Sequence, residues 1–229
     1  MSGVWRNRWG QARLSVATRG SLGYNARMKL HRRGGFSLIE MLITLALMIV
    51  MSVMLYGFGS ASRQRSQKKL CSDNLQKIYL AMQIYANDFG GQLPLNTNAV
   101  TSEAVLNELV PHYTADTTIF ICPGGRDAQI PSGEPLTQHR ISYAYFMGRR
   151  LQSSPDGSPT VLLSDRQVDT EPKRAGEYVF SRNGKSPGNN HHKYGGNFLL
   201  GDGSVQSSGP QLTFSLAVPP GVVLLNPKP

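Results

Sequence analysis

The sequence predicts an α+β fold, with a long N-terminal helix, first transmembrane and then amphipathic, packed on a mostly antiparallel sheet. Three observations predict it. Residues 36–58 form an apolar run of 23 residues in which Glu40 is the one ionisable group. Beyond it, Cys71, Leu75, Ile78, Met82, Tyr85 and Phe89 recur at steps of four and three, a single apolar stripe on a polar helix. After residue 111 the chain offers short β-favouring runs and no helix of the kind parallel crossovers require.

Taken in order, residues 1–35 are a basic leader with eight Lys or Arg and no acid. By the positive-inside rule this keeps the N-terminus in the cytoplasm and sends the remainder outward. Met28 offers an alternative start to Met1, because residues 28–35 make a compact leader alone. Residues 36–58 at 1.5 Å per residue span roughly 34 Å, enough for one crossing of a bilayer core of about 30 Å. Residues 59–91 continue the helix, weakened by Gly57 and Gly59 where the bilayer ends, and Gly90, Gly91 and Pro94 stop it. Its stripe is too short for a coiled coil, so a sheet is the expected partner.

Residues 92–218 read as a β-rich head. Ser102 caps a short helix over 102–110 that turns Val105, Leu106 and Leu109 inward and ends at Pro111. Strands are expected over 117–122, 141–147, 160–164, 178–181, 196–200 and 212–218, with Asp202-Gly203 as a tight hairpin turn. The Pro-rich residues 219–229 read as a loose tail.

The whole-chain charge of +10 is mostly the leader's: 16 of the 24 Lys and Arg follow Gly35, against 14 acids, leaving +2. No basic face interleaved with aromatics appears in the pattern, which argues against a nucleic-acid partner. Nor is there a P-loop, H-E-x-x-H or C-x-x-C, so no enzyme is expected, and the His and Cys lack zinc-motif spacing.

Arg32-Arg33-Gly34-Gly35-Phe36-Ser37-Leu38-Ile39-Glu40 resembles the type IV prepilin signal. The resemblance implies cleavage between Gly35 and Phe36, methylation of the Phe36 amine, and a type IV pilin-like fold. It also implies that Glu40 pairs with the N-terminal amine of a neighbouring subunit during assembly. Cys71-Ser-Asp-Asn74-Leu75-Gln-Lys-Ile78, Phe120-Ile-Cys122-Pro123, Ser142-Tyr-Ala-Tyr145, Leu163-Ser-Asp165-Arg166 and His192 followed by nine residues and Asp202-Gly203 are similar to the H-x9-DG family of pilin-like proteins. Gly124-Gly125 departs from that family's Ser-Asp, with Asp127 a candidate substitute. Family analogy with pseudopilins makes Asp165 and Asp202 candidate Ca²⁺ ligands, and His192 and Asp202 could alternatively share a hydrogen bond; the favoured reading is a plain hairpin turn at Asp202-Gly203, with His192 a loop residue. Cofactors are otherwise not expected.

Cys71 and Cys122 lie on apolar stretches, and in an oxidising compartment they leave one pairing; the alternative is buried free thiols. A bond closing about 50 residues is worth roughly 4 kcal/mol in the chain-entropy model. The expected role is a structural subunit, pseudopilin or minor pilin, of a type II secretion or type IV pilus-like filament. Its expected partners are the prepilin peptidase and methyltransferase, other pilin-like subunits, the assembly machinery and the membrane. The expected place is the bacterial inner membrane, with the head periplasmic or extracellular. Two alternatives stand beside this: a cleaved secretory signal using Ser60-Ala61-Ser62, and a membrane-tethered binding module that borrows the export signal.

Overall fold

The structure is a computed structural model that describes residues 35–151 and 160–229. The leader, with both candidate starts Met1 and Met28, lies outside the described residues apart from Gly35. The chain divides into two compact units, Met1–Leu47 and Met48–Pro229. Helix α1 covers Leu38–Asp88 and is assigned through Gly57 and Gly59 without a break. The Ser37 carbonyl accepts its first bonds, from the amides of Glu40 and Met41. Its apolar window, Leu38–Leu55, has no buried residue and is long enough to cross a membrane.

In the larger unit, five strands form one antiparallel sheet: β1 (Tyr143–Met147), β2 (Val161–Asp165), β3 (Gly196–Leu200), β4 (Val205–Ser208) and β5 (Val223–Leu225), in the order β4-β3-β2-β1-β5. The two-residue period of a strand sends Tyr143, Tyr145 and Met147 to one face and Ala144 and Phe146 to the other. On the first face the stripe of α1 is buried as its spacing predicts: Cys71, Leu75, Ile78 and Met82 are wholly inaccessible and Tyr85 nearly so. Phe89 is the exception, half exposed and stacked on Tyr85. A register shift between Val161 and Leu163 turns Leu162 and Leu163 together toward the helix side.

The other face is covered by irregular chain carrying Val179, Phe180, Leu212 and Leu216. Strands expected over 178–181 and 212–218 are not formed. This layer is joined by isolated bridges, Tyr178 with Gln211 and Lys173 with Leu216, and by scattered backbone bonds such as Leu212 N–H to the Glu177 carbonyl. Pro172, Pro187, Pro210 and Pro219 deny this layer the amides that a regular ladder needs.

Three further expectations are corrected. Residues 117–122 are not a strand: Thr117–Phe120 is a 3₁₀ turn, because the Asp116 carboxylate accepts the Thr118 amide and holds the backbone in a turn against its β-favouring side chains. The helix at 102–110 is α-helical over Ser102–Leu106 (α2) and then 3₁₀ over Asn107–Leu109. The tail is not loose. Its Val223–Leu225 pairs with β1, the Asn226 carbonyl accepts from the Ser102 amide, and the Lys228 amide donates to Glu103.

Tyr85 gives the helix–head packing an alkaline limit. Its hydroxyl donates to Glu108 at 2.9 Å, and burial followed by that carboxylate pushes the phenol up to about 12. An unfolded tyrosine ionises near pH 10, so the contribution is complete below that pH and is lost as the pH rises through about 12. Urea midpoints across this window should fall more steeply for the native protein than for Tyr85→Phe; parallel curves would assign the loss to other groups.

Candidate functional site

Four segments distant in sequence bring their chemistry to one buried point. Cys71 comes from α1, Cys122 from the loop after the 3₁₀ turn, Asp165 from the end of β2, and His191 from the loop before β3. All four are buried, and one ligand atom from each lies within 4.8 Å of the others. It is the one such group of three or more His, Cys, Asp or Glu among the described residues.

Asp165 is the hub. Its Oδ1 accepts from Asn190 Nδ2 at 2.8 Å and from Cys71 Sγ at 3.2 Å, and its Oδ2 accepts the Asn197 amide at 2.7 Å. His191 Nε2 stands 3.3 Å from Oδ2 and 3.4 Å from Cys122 Sγ. Tyr143 Oη lies 3.1 Å from Cys71 Sγ. Asn190 is itself fixed by donating to the Ser142 carbonyl at 2.7 Å. Lys68, one turn before Cys71, donates to the carbonyls of Ser208 at 2.6 Å and Tyr194 at 3.2 Å.

Burial tends to neutralise every member, and the charges on the neighbours decide which stay ionised. For Asp165, burial pushes the carboxyl up, but the His191 charge, with bonds from His191, Asn190 and Cys71, brings it below the ordinary range. For His191, burial pushes the imidazole down, and the Asp165 charge outweighs it, raising the group to about 10. Burial, then Cys122 and Asp165, pushes the Cys71 thiol well up. Burial opposes ionisation of Cys122 too, but the bonds from Cys71 and His191 bring it down. Without a further ion the set is an Asp–His ion pair with Cys122 the more acidic thiol.

The expected Cys71–Cys122 disulfide is not formed; both are free, buried thiols. Each sulfur is turned to a polar partner, Cys71 to Tyr143 and Asp165, and Cys122 to His191. His192 is exposed, with φ of 55°, and no hydrogen bond or ion pair joins it to Asp202 among the described residues. Its neighbour His191 occupies the site instead. Asp202 is also exposed: it accepts from the Ser204 hydroxyl at 2.7 Å and amide at 2.9 Å, which hold its carboxyl below the ordinary range. Gly203 has φ of 84°, and a Cβ there would stand 2.5 Å from the Tyr79 ring, so the β3–β4 turn needs glycine twice over. The pairing of Asp165 with Asp202 as Ca²⁺ ligands therefore finds no support, since Asp165 faces thiols and an imidazole, a poor set for that hard cation.

The other positions noted in the sequence have identifiable tasks. Asn74 Nδ2 donates to the Ile121 carbonyl at 3.1 Å, and Tyr145 Oη to that of Pro94 at 2.8 Å. At Gly124 a Cβ would lie 2.6 Å from both the Asn190 carbonyl and His191 Nδ1, so the backbone passes directly over the imidazole. Asp127 accepts from Ser142 Oγ at 2.7 Å and pairs with Arg166 at 3.2 Å. Beside it opens a cavity of about 410 Å³, lined by Arg126, Arg140, Arg166 and Lys185 together with Asp127.

At the other end of the chain, Phe36 and Glu40 are exposed, and Glu40 lies in the first turn of α1. A family model, the prokaryotic N-terminal methylation motif, matches residues 30–56. No curated protein and no solved structure matches the chain. The motif supports a prepilin-like signal over residues 30–56 and implies processing by a prepilin peptidase, and the one apolar helix beside it fits a single-pass membrane anchor.

Proposed function

We propose that the chain is a structural subunit, pseudopilin or minor pilin, of a type II secretion or type IV pilus-like filament, with its head outside the cytoplasm. The observation that carries this reading is Glu40: an acid in the first turn of an apolar helix, four residues after Phe36. A plain anchor gains nothing from a carboxylate that costs insertion energy. A filament of parallel helices gains an ion pair between that carboxylate and a neighbour's methylated amine. The order of H-x9-DG-like segments supports a pilin-like head, and the role is non-catalytic.

Co-expression with a prepilin peptidase and assembly machinery tests the reading. The mature protein should begin at N-methylated Phe36, retain α1 and enter the sheared surface fraction. An N-terminus near Ser62 in peptide mass analysis would instead establish a cleaved secretory signal. The cationic cavity beside Asp127 favours a second reading, a tethered module that holds an anionic ligand. Correct processing with no filament under assembly conditions would select it.

A further inference from the structure

We propose that Cys71, Cys122, Asp165 and His191 form a structural zinc site that joins α1 to the sheet. Two thiolates, an imidazole and a carboxylate are a zinc donor set, and zinc takes four such ligands tetrahedrally. With zinc bonds of about 2.0–2.3 Å, neighbouring ligands around the ion stand about 3.3–3.8 Å apart. Two separations that share an atom lie in that range, 3.4 Å from Cys122 Sγ to His191 Nε2 and 3.3 Å from Nε2 to Asp165 Oδ2; Cys71 Sγ stands 3.2 Å from the other carboxylate oxygen, Oδ1, and one ligand atom from each residue lies within 4.8 Å of the others.

One distance in the cluster is long for a bare hydrogen-bonded ion pair, that between His191 and Asp165. A charge-assisted N–H to carboxylate bond shortens to about 2.7–2.9 Å. Here Nε2 stands 3.3 Å from the Asp165 carboxylate, outside that range, while it bonds Cys122 Sγ at 3.4 Å, an ordinary length for sulfur. A disulfide would use only the sulfurs and leave the buried aspartate and histidine unexplained.

The surroundings are those of a ligand set held in place. Asn190 and the Asn197 amide fix the carboxylate, and Tyr143 Oη can donate to the Cys71 thiolate. Two thiolates and a carboxylate around Zn²⁺ leave one negative charge. Lys68, whose ammonium interacts electrostatically with both Asp165 and Cys71, offsets it. Binding releases the protons of the two thiols and of the His191 Nε2–H. Because all four ligands are buried, the ion enters as the head folds and exchanges slowly afterwards.

The test uses the full chain, purified in detergent from cells grown with zinc and, separately, with cobalt in its place. Elemental analysis should find about one ion per chain. The cobalt form should show thiolate-to-cobalt charge transfer and the visible bands of a tetrahedral site. Cys71→Ser and His191→Gln should lose both signals, while His192→Ala, at the exposed neighbour, keeps them. The native chain decides the matter even if those variants fail to fold. Folded protein without metal, its cysteines either disulfide-bonded or fully alkylated on denaturation without chelator, overturns the proposal. So does metal that persists in a chain carrying both Cys71→Ser and Cys122→Ser.

Discussion

Glu40→Ala should reduce sheared filament roughly tenfold or more while leaving the amount of membrane-inserted, folded subunit unchanged. A carboxylate near the end of an apolar helix makes insertion dearer, by less than the roughly 2.5–3.5 kcal/mol charged at the bilayer centre, so its removal cannot weaken insertion. The head core is built from residue 71 onward and does not include Glu40. The loss must come from the Phe36 amine, left without a counter-charge between packed helices. Removing one partner of a buried pair costs about 3–5 kcal/mol, and each 1.4 kcal/mol is tenfold in an association constant. Solvent and lipid headgroups near the helix end reduce that figure, which is why a tenfold effect is the floor. The measurement is surface filament against membrane-bound subunit from parallel cultures. Equal filament from both would make Glu40 a passenger and the tethered module the better account.

The second large effect is at Asp165. Asp165→Asn should destabilise the head by about 3–5 kcal/mol, a large part of the roughly 5–15 kcal/mol available to a domain. The replacement is nearly isosteric, so the cost is not a cavity. The carboxylate accepts from Asn190 on one oxygen and from the Asn197 amide on the other, so an amide nitrogen in either position faces a donor. Asn190 cannot turn to relieve the conflict without giving up the Ser142 carbonyl. His191 is left as a buried cation whose partner is neutral, or as a metal ligand beside a weaker one. Asp202→Asn, on an exposed turn, should stay within about 0.5 kcal/mol. Urea unfolding of both variants checks this, with a midpoint fall on the order of 2 M for Asp165→Asn alone. Equal falls would show that the buried network does not hold the head together.

The parts of this fold that could be read in advance are those whose periodicity is local. The stripe from Cys71 to Tyr85 has the spacing of a helix face, and β1, β2 and β3 are apolar runs buried on both faces. What escaped is decided by contacts across the chain. Thr117–Phe120 has β-favouring side chains, but one Asp116 bond overrides them. The layer carrying Phe180 and Leu212 looks like strands because it is apolar at intervals, yet its prolines leave it irregular. The site was half legible. The sequence paired Cys71 with Cys122 as a disulfide and Asp165 with Asp202 around Ca²⁺, because metal motifs are recognised by close spacing and these ligands come from four separate segments. His192 drew attention through its distance to Asp202-Gly203, whereas the residue turned inward is His191. The left-handed backbone at His192 decides between two adjacent histidines, and no side-chain pattern records it.

The pairing of β5 with β1 also bears on the order in which the head can close. Tyr145, Phe146 and Met147 receive their partners Leu225, Leu224 and Val223 from a segment synthesised 76 to 80 residues later. Until that segment arrives, β1 is an open sheet edge with unpaired amides and carbonyls, a template for any extended chain nearby. An anchor that confines nascent copies to one membrane plane raises their local concentration at that moment. Strand exchange between two unfinished heads then competes with each head's own last strand, and the short, late β5 is the element on which that competition turns.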